Sequence, residues 1–185
     1  MSTRHNIIRA GVELLQTHGV AALTQPRVAK AAGLSQGNLT YHFPTRNDLL
    51  LAVAEAAIEA LLTQLKAAAA DPAQPDLGAL LGSVMPRQAP MRVMLGLIVA
   101  ADNHPELRVA LDGLVKRVRA GIAALLAARG ISQSAEHVLL AHATLVGLAV
   151  MHQARQNAAS AADIVHGTNT LLALLAADTS PGSDT

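Results

Sequence analysis

The amino-acid sequence predicts an all-α protein, in which a three-helix N-terminal domain is joined by one long helix to a larger helical domain. Three observations carry that prediction. Just over half of the 185 residues are apolar, rich in alanine and leucine, without the alternating runs that mark strands. Glycine and proline cut the chain into helix-length pieces at Gly19, Gly33, DPAQPD (71–76), PRQAP (86–90), DNHP (102–105) and Gly130. Aromatic residues make up 1% of the chain, one Tyr and one Phe, so the core must be aliphatic. A chain of this length buries a substantial core. It has no cysteine, which excludes disulfides and thiolate chemistry. MSTRHNIIRAG lacks the apolar run of a signal peptide, so the expected compartment is the cytoplasm.

The first helix is expected from about Arg4 to His18, capped by Ser2 or Thr3 and stopped by Gly19. Its stripes Ile7, Gly11, Leu14 and Ile8, Val12, Leu15 suit packing over the next two helices. Thr24 can N-cap the second helix by accepting a backbone N–H, with Pro26 tolerated in the first turn. Val28, Ala29 and Ala32 share a face of that helix, and Gly33 ends it because glycine adopts a positive φ at little cost. Ser35 then caps a third helix, QGNLTYH. Ala29 is small enough for the two helices to cross closely, and Leu39 plugs the angle between them. A small residue, a turn glycine and a buried aliphatic at this spacing describe a helix-turn-helix.

With Leu39 turned inward, Gln36, Gly37, Thr40 and Tyr41 lie on the outer face, with Asn38 and His42 at its margins. These are residue types that hydrogen-bond to base edges and phosphates, and Gly37 would let backbone approach backbone. Thr24, Gln25, Arg27, Ser35 and Arg46 complete the candidate DNA-binding set. Charge points the same way. Residues 1–47 hold Arg4, Arg9, Arg27, Lys30 and Arg46 against Glu13 alone, whereas the remainder is net acidic. One basic end suits contact with a duplex.

From Ile7 to about Val53 the chain resembles the DNA-binding domain of the tetracycline-repressor (TetR) family. The residues that carry the resemblance are IIRAGVELLQTHGVAALT and VAKAAGLSQGNLTYHFPTRNDLL. Two positions depart from the family pattern. Thr40 stands where the family usually has the first of two aromatics, and Arg46 where it usually has lysine. The resemblance implies a DNA-binding regulator rather than an enzyme. It further implies a homodimer acting on a palindromic double-stranded operator, with repression as the family default. Activation remains an alternative, as does a DNA-binding dimer with no effector. A helical enzyme or carrier with an incidental helix-turn-helix is the reading from another class.

Thr45 and Asp48 make a capping-box-like pair for a fourth helix, expected to run to about Ala70 as the link between domains. Further helices are expected near 77–85, 91–101, 105–129, 134–156 and 162–177, with SPGSDT as a polar tail. The expected domains are therefore 1–47 for DNA binding, 48–178 for effector binding and dimerisation, and a disordered 179–185. The dimer is expected through the helices near 134–156 and 162–177. Ala141, Thr144, Gly147 and Leu148 offer a small face there, and His137, His142, His152 and Gln153 argue against a membrane span.

No cofactor is expected, and no nucleophile motif or paired acid is set for catalysis. His137 and His142 are poorly spaced for a shared metal, and nothing completes a site at Asp102 and His104. An effector pocket would be lined by Met85, Met91, Met94, Leu95, Ile98 and Leu111, with Arg92, His104, Arg108 and His142 as polar anchors. Lacking a ring beyond Phe43, it would suit a small apolar or weakly anionic molecule over a flat polyaromatic cation.

Overall fold

A computed structural model of the chain describes residues 2–70 and 89–179. Among these residues the elements are α1 (Thr3–His18), a 3-10 turn (Val20–Ala22), α2 (Gln25–Ala31), α3 (Gln36–His42), α4 (Arg46–Ala70), α5 (Ala89–Ala101), α6 (Pro105–Ala127), α7 (Ala135–Arg155) and α8 (Ala158–Thr179), with no strand. The chain is all-α, as expected. The helix predicted over 77–85, Met85 and the tail from 180 onward lie outside the described residues.

The chain packs as two compact units, Met1–Leu61 with Gln88–Val115, and Leu62–Arg87 with Lys116–Thr185. In the first, Ser2 caps α1 by accepting the His5 N–H, and Ile7, Ala10, Gly11 and Leu15 are buried along one face. A Cβ at Gly11 would come within 2.6 Å of Val53 Cγ2, so α1 and α4 approach closely through the bare glycine. Val28, Ala29, Leu39, Phe43, Leu49, Leu50 and Val53 complete the core of the three-helix segment. Val93 and Leu97 of α5 are also wholly buried. α5 begins two residues earlier than the Met91 start expected, with Pro90 in its first turn, where a missing N–H is harmless.

The second unit is built on the end of α4, the latter part of α6, and the helical hairpin of α7 and α8. Ile122, Leu126, Ile131, Val138, Ala141, Leu171 and Leu175 form its central cluster. A Cβ at Gly121 would meet Leu62 Cδ2 at 2.9 Å, which sets how closely α6 approaches α4. Arg129 Nη1 lies 3.5 Å from the carbonyl of Ala68, near the end of α4, where a cation opposes the negative helix terminus. Ser134 caps α7 by accepting the His137 N–H. The adjacent Glu136 carboxyl is held below its usual range by its own backbone N–H and then by the Ser134 hydroxyl.

The hairpin corrects one expectation. The last helix is expected from about Ala162, after NAAS (157–160), yet α8 starts at Ala158. Asn157 Oδ1 accepts the Ser160 N–H at 2.9 Å, so asparagine acts as the N-cap and NAAS becomes the first turn. Across the bend, His152 Nδ1 lies 2.8 Å from Ser160 Oγ, and Arg155 pairs with Asp163 at 2.8 Å. At the opposite end His137 Nε2 lies 2.8 Å from Asp178 Oδ2. Among the described residues, α7 is the one helix long and apolar enough to cross a membrane by length and composition. Its histidines are engaged in polar contacts, His137 and His152 with α8 and His142 with Arg119 of α6.

Candidate nucleic-acid interface

The α2–α3 corner owes its shape to local bonds. Gly33 adopts φ +69, and the Leu34 N–H returns to the Ala29 carbonyl at 2.9 Å, closing the end of α2. Ser35, in extended backbone, accepts the Asn38 N–H at 3.2 Å and starts α3. Thr24 holds the N-cap position of α2, but its side chain makes no cap bond. The cap expected from its hydroxyl is therefore not formed; the Thr24 carbonyl accepts the Val28 N–H at 3.0 Å, the first bond of the helix itself.

The corner is then tied to its surroundings by contacts from distant residues. Asn6 Nδ2 donates to the Ala32 carbonyl at 2.9 Å, fastening α1 to the turn. Gln25 Nε2 donates to the Phe43 carbonyl at 2.7 Å, so this candidate DNA contact clips the start of α2 to the end of α3. The Arg4 guanidinium sits over the Phe43 ring, 5.2 Å from its centroid. Arg4 thereby joins the α3 side of the domain, a placement that its sequence position does not reveal. Arg9 is held along α1 by Glu13 and Asn6.

On α3, Leu39 is fully buried while Gln36, Gly37, Asn38, Thr40 and Tyr41 are exposed and His42 is half-buried. Tyr41 is 83% exposed, an unusual setting for a large ring, and meets His42 edge-on at 5.2 Å. Thr40 Oγ1 donates to the Gln36 carbonyl at 2.9 Å, which commits its proton to the helix and leaves its lone pairs outward. Nothing lies within 4 Å of a Cβ built on Gly37, so no packing in the chain calls for glycine there. Arg27 and Arg46 are exposed. Thr45 and Asp48 cap α4 reciprocally, the Thr45 N–H donating to Asp48 Oδ2 at 2.9 Å and the Asp48 N–H to Thr45 Oγ1 at 3.1 Å.

The pocket residues proposed from sequence do not fall into one unit. Met91, Arg92, Met94, Leu95, Ile98, His104, Arg108 and Leu111 belong to the first, and His142 to the second. Leu95 and Ile98 are exposed, whereas Val93 and Leu97 take the buried face of α5. The polar anchors have local tasks. Arg92 Nη1 donates to the carbonyls of Leu15 and Gln16, Arg108 Nε to that of Ala101, and His104 meets Glu106. His142 accepts from Arg119 Nε through Nδ1 at 3.4 Å, which requires the neutral ring. Burial, and then the Arg119 charge, lower its pKa below the usual histidine value.

A helix-turn-helix with an outward face of hydrogen-bonding side chains on a basic domain defines a DNA-binding protein. Residues 7–53 match the family model described as bacterial regulatory proteins, tetR family. The chain is 32% identical over 160 residues to the HTH-type transcriptional regulator CymR of Pseudomonas putida, covering 81% of this chain and 79% of that protein. Among solved structures, a TetR-family member from Streptomyces coelicolor A3 superposes with a TM-score of 0.66 at 26% identity, covering 95% of this chain and 99% of that one. The multidrug binding protein EbrR complexed with ethidium gives 0.66 at 26%, covering 92% and 98%. The chain therefore belongs to the tetracycline-repressor family of transcriptional regulators, which are not enzymes.

Proposed function

We propose that this regulator is a cytoplasmic, ligand-responsive repressor that binds a palindromic operator as a homodimer. Residues 1–47 read DNA, 48–178 serve effector binding and dimerisation, and 179–185 form the tail. Gln36, Asn38, Thr40 and Tyr41 supply major-groove contacts. His42 and Arg46 meet phosphate, and Thr24, Arg27 and Ser35 flank them. The observation that carries the reading is the division of α3, with Leu39 buried on one side and the hydrogen-bonding side chains of Gln36, Asn38, Thr40 and Tyr41 exposed on the other.

The outer surface of the α7–α8 hairpin supports the dimer. Leu139, Leu140 and Met151 are each 50% exposed and Leu174 64%, an apolar surface suited to a second copy. Two residues of the small face read from sequence are engaged within the chain, while nothing in the chain lies within 4 Å of a Cβ built on Gly147. Ala141 is buried in the chain's own core, and Leu148 packs against Gly167 of α8. Two subunits would present two copies of α3 to half-sites about 34–36 Å apart.

An effector would act by tilting α4, and the differential affinity of the effector for the two states limits its effect. EbrR has been crystallised with ethidium and with malachite green. This chain has no aromatic residue beyond Phe43 on which to stack such cations. A small apolar or weakly anionic molecule is the better match.

Genomic footprinting of the purified protein tests operator and symmetry together, and protection of a two-fold site is the expected result. Thermal-shift screening tests the effector. Aliphatic acids or lipophilic metabolites should raise the melting temperature and release DNA, whereas a selective response to ethidium would overturn the assignment of ligand class.

A further inference from the structure

We propose that Arg92 and Gly96, one turn apart on the inner face of α5, form a joint that sets the position of the helix-turn-helix. Operator affinity would then be tuned through α5 without touching a DNA contact. The regulatory consequence rests on the DNA-binding reading above; the joint itself does not.

The first half of the joint is electrostatic. The last carbonyls of a helix lack partners within it and carry its negative end. Arg92 Nη1 donates to Gln16 O at 3.2 Å and, at 3.4 Å, to Leu15 O, which also accepts the Gly19 N–H, from 76 and 77 residues away in the chain. The second half is steric. A Cβ on Gly96 would penetrate the methyl group Cγ2 of Val20 in the 3-10 turn, and would lie 3.8 Å from Leu50 Cδ1 of α4. Valine is β-branched and stiff at χ1, so it cannot swing aside cheaply.

From Val20 the connection to α2 is short and bonded throughout. The Leu23 N–H donates to Val20 O at 3.1 Å, the Thr24 N–H to Ala22 O at 2.9 Å, and the Val28 N–H to Thr24 O at 3.0 Å. Ala22 and Leu23 are buried, which denies this segment slack. Gln25 then carries the start of α2 to the end of α3 through the Phe43 carbonyl. A shift of Val20 is therefore passed to the reading head. The opposite face of α5 exposes Leu95, Ile98 and Val99, so the helix is fastened on one side and open on the other.

The test is a double-mutant cycle on the full-length protein without DNA, read by amide hydrogen exchange. Gly96→Ala should accelerate exchange in residues 19–31 by about tenfold and leave the amides of α7 and α8 unchanged. Adding Val20→Ala, which removes the obstructing methyl, should bring exchange back to within about threefold of the native protein. Arg92→Gln introduces no clash and should loosen the same segment, while Arg92→Lys should restore part of the protection. Binding to a duplex selected from a random pool should follow the exchange data, with Gly96→Ala about tenfold weaker and the double variant recovered. Unchanged exchange at 19–31 in both Gly96→Ala and Arg92→Gln would overturn the joint. So would acceleration spread equally over both units, or no recovery on adding Val20→Ala. If the native protein selects no duplex, the DNA-binding reading fails, and the exchange measurements still decide the joint.

Discussion

Gly37→Ala separates stability from DNA reading at one atom. Gly37 lies in the first turn of α3 with ordinary helical backbone, and nothing stands within 4 Å of the Cβ that alanine would add. Alanine is favoured over glycine inside a helix by about 0.5–1 kcal/mol, because glycine loses more backbone freedom on folding. With no clash to oppose that gain, the DNA-free variant should be more stable, by about 1–4 °C in melting temperature for a chain of this size. The same methyl projects from the face proposed to meet DNA, so operator affinity should fall by about tenfold, equivalent to about 1.4 kcal/mol. Two further glycines act as controls. Gly113→Ala also enters open space and should stabilise without altering DNA binding. Gly33→Ala must adopt φ +69 and should destabilise by about 1–2 kcal/mol. Melting curves and fluorescence anisotropy with a footprinted operator supply both numbers. Native or tighter operator binding by Gly37→Ala would refute close approach of DNA at this position.

Three other substitutions test the remaining parts. Gln36→Ala should relax preference at one or two base pairs by about 1–3 kcal/mol, measured on a panel of single-base operator variants, whereas Arg46→Ala should weaken all duplexes alike and lower the salt slope by about one unit. Gly147→Glu places a carboxylate where the folded chain leaves open space, so the subunit should fold normally while dimers dissociate, and sedimentation showing an intact dimer would place the interface elsewhere. His142 has a folded pKa below its ordinary value of 6.5, so the unfolded chain binds the proton more readily. Its stabilising contribution is complete above about pH 6.5 and is lost as pH falls through the folded value. His142→Gln should flatten the fall in melting temperature as pH drops below about 6.5, and an unchanged slope would show that another group dominates.

The parts of the DNA-binding segment that sequence alone determined are those whose partners lie within one or two turns. Ser35 to Asn38, Thr45 to Asp48 and the Gly33 reversal are such pairs, and residue type and spacing specify them before any packing occurs. The inward turn of Leu39 follows from helical periodicity in the same way. NAAS shows the limit of local reading, since polar residues that favour loops also favour the first turn of a helix. Only when Ser160 is engaged by both Asn157 and His152 is that choice made.

What tertiary structure decided is the role of residues whose partners are far away. Gln25 has the chemistry of a base contact and is occupied by a carbonyl 18 residues on, and Arg92, expected to anchor a ligand, is spent on α1. Of the small residues expected to form a subunit contact on α7, Ala141 is buried in the chain's own core and Leu148 packs against Gly167 of α8, whereas Gly147 faces open space. That leaves Leu139, Leu140 and Met151 outside. Helical periodicity tells which residues share a face. It cannot tell which neighbour that face meets, because the meeting depends on how distant helices fill volume and satisfy one another's ends.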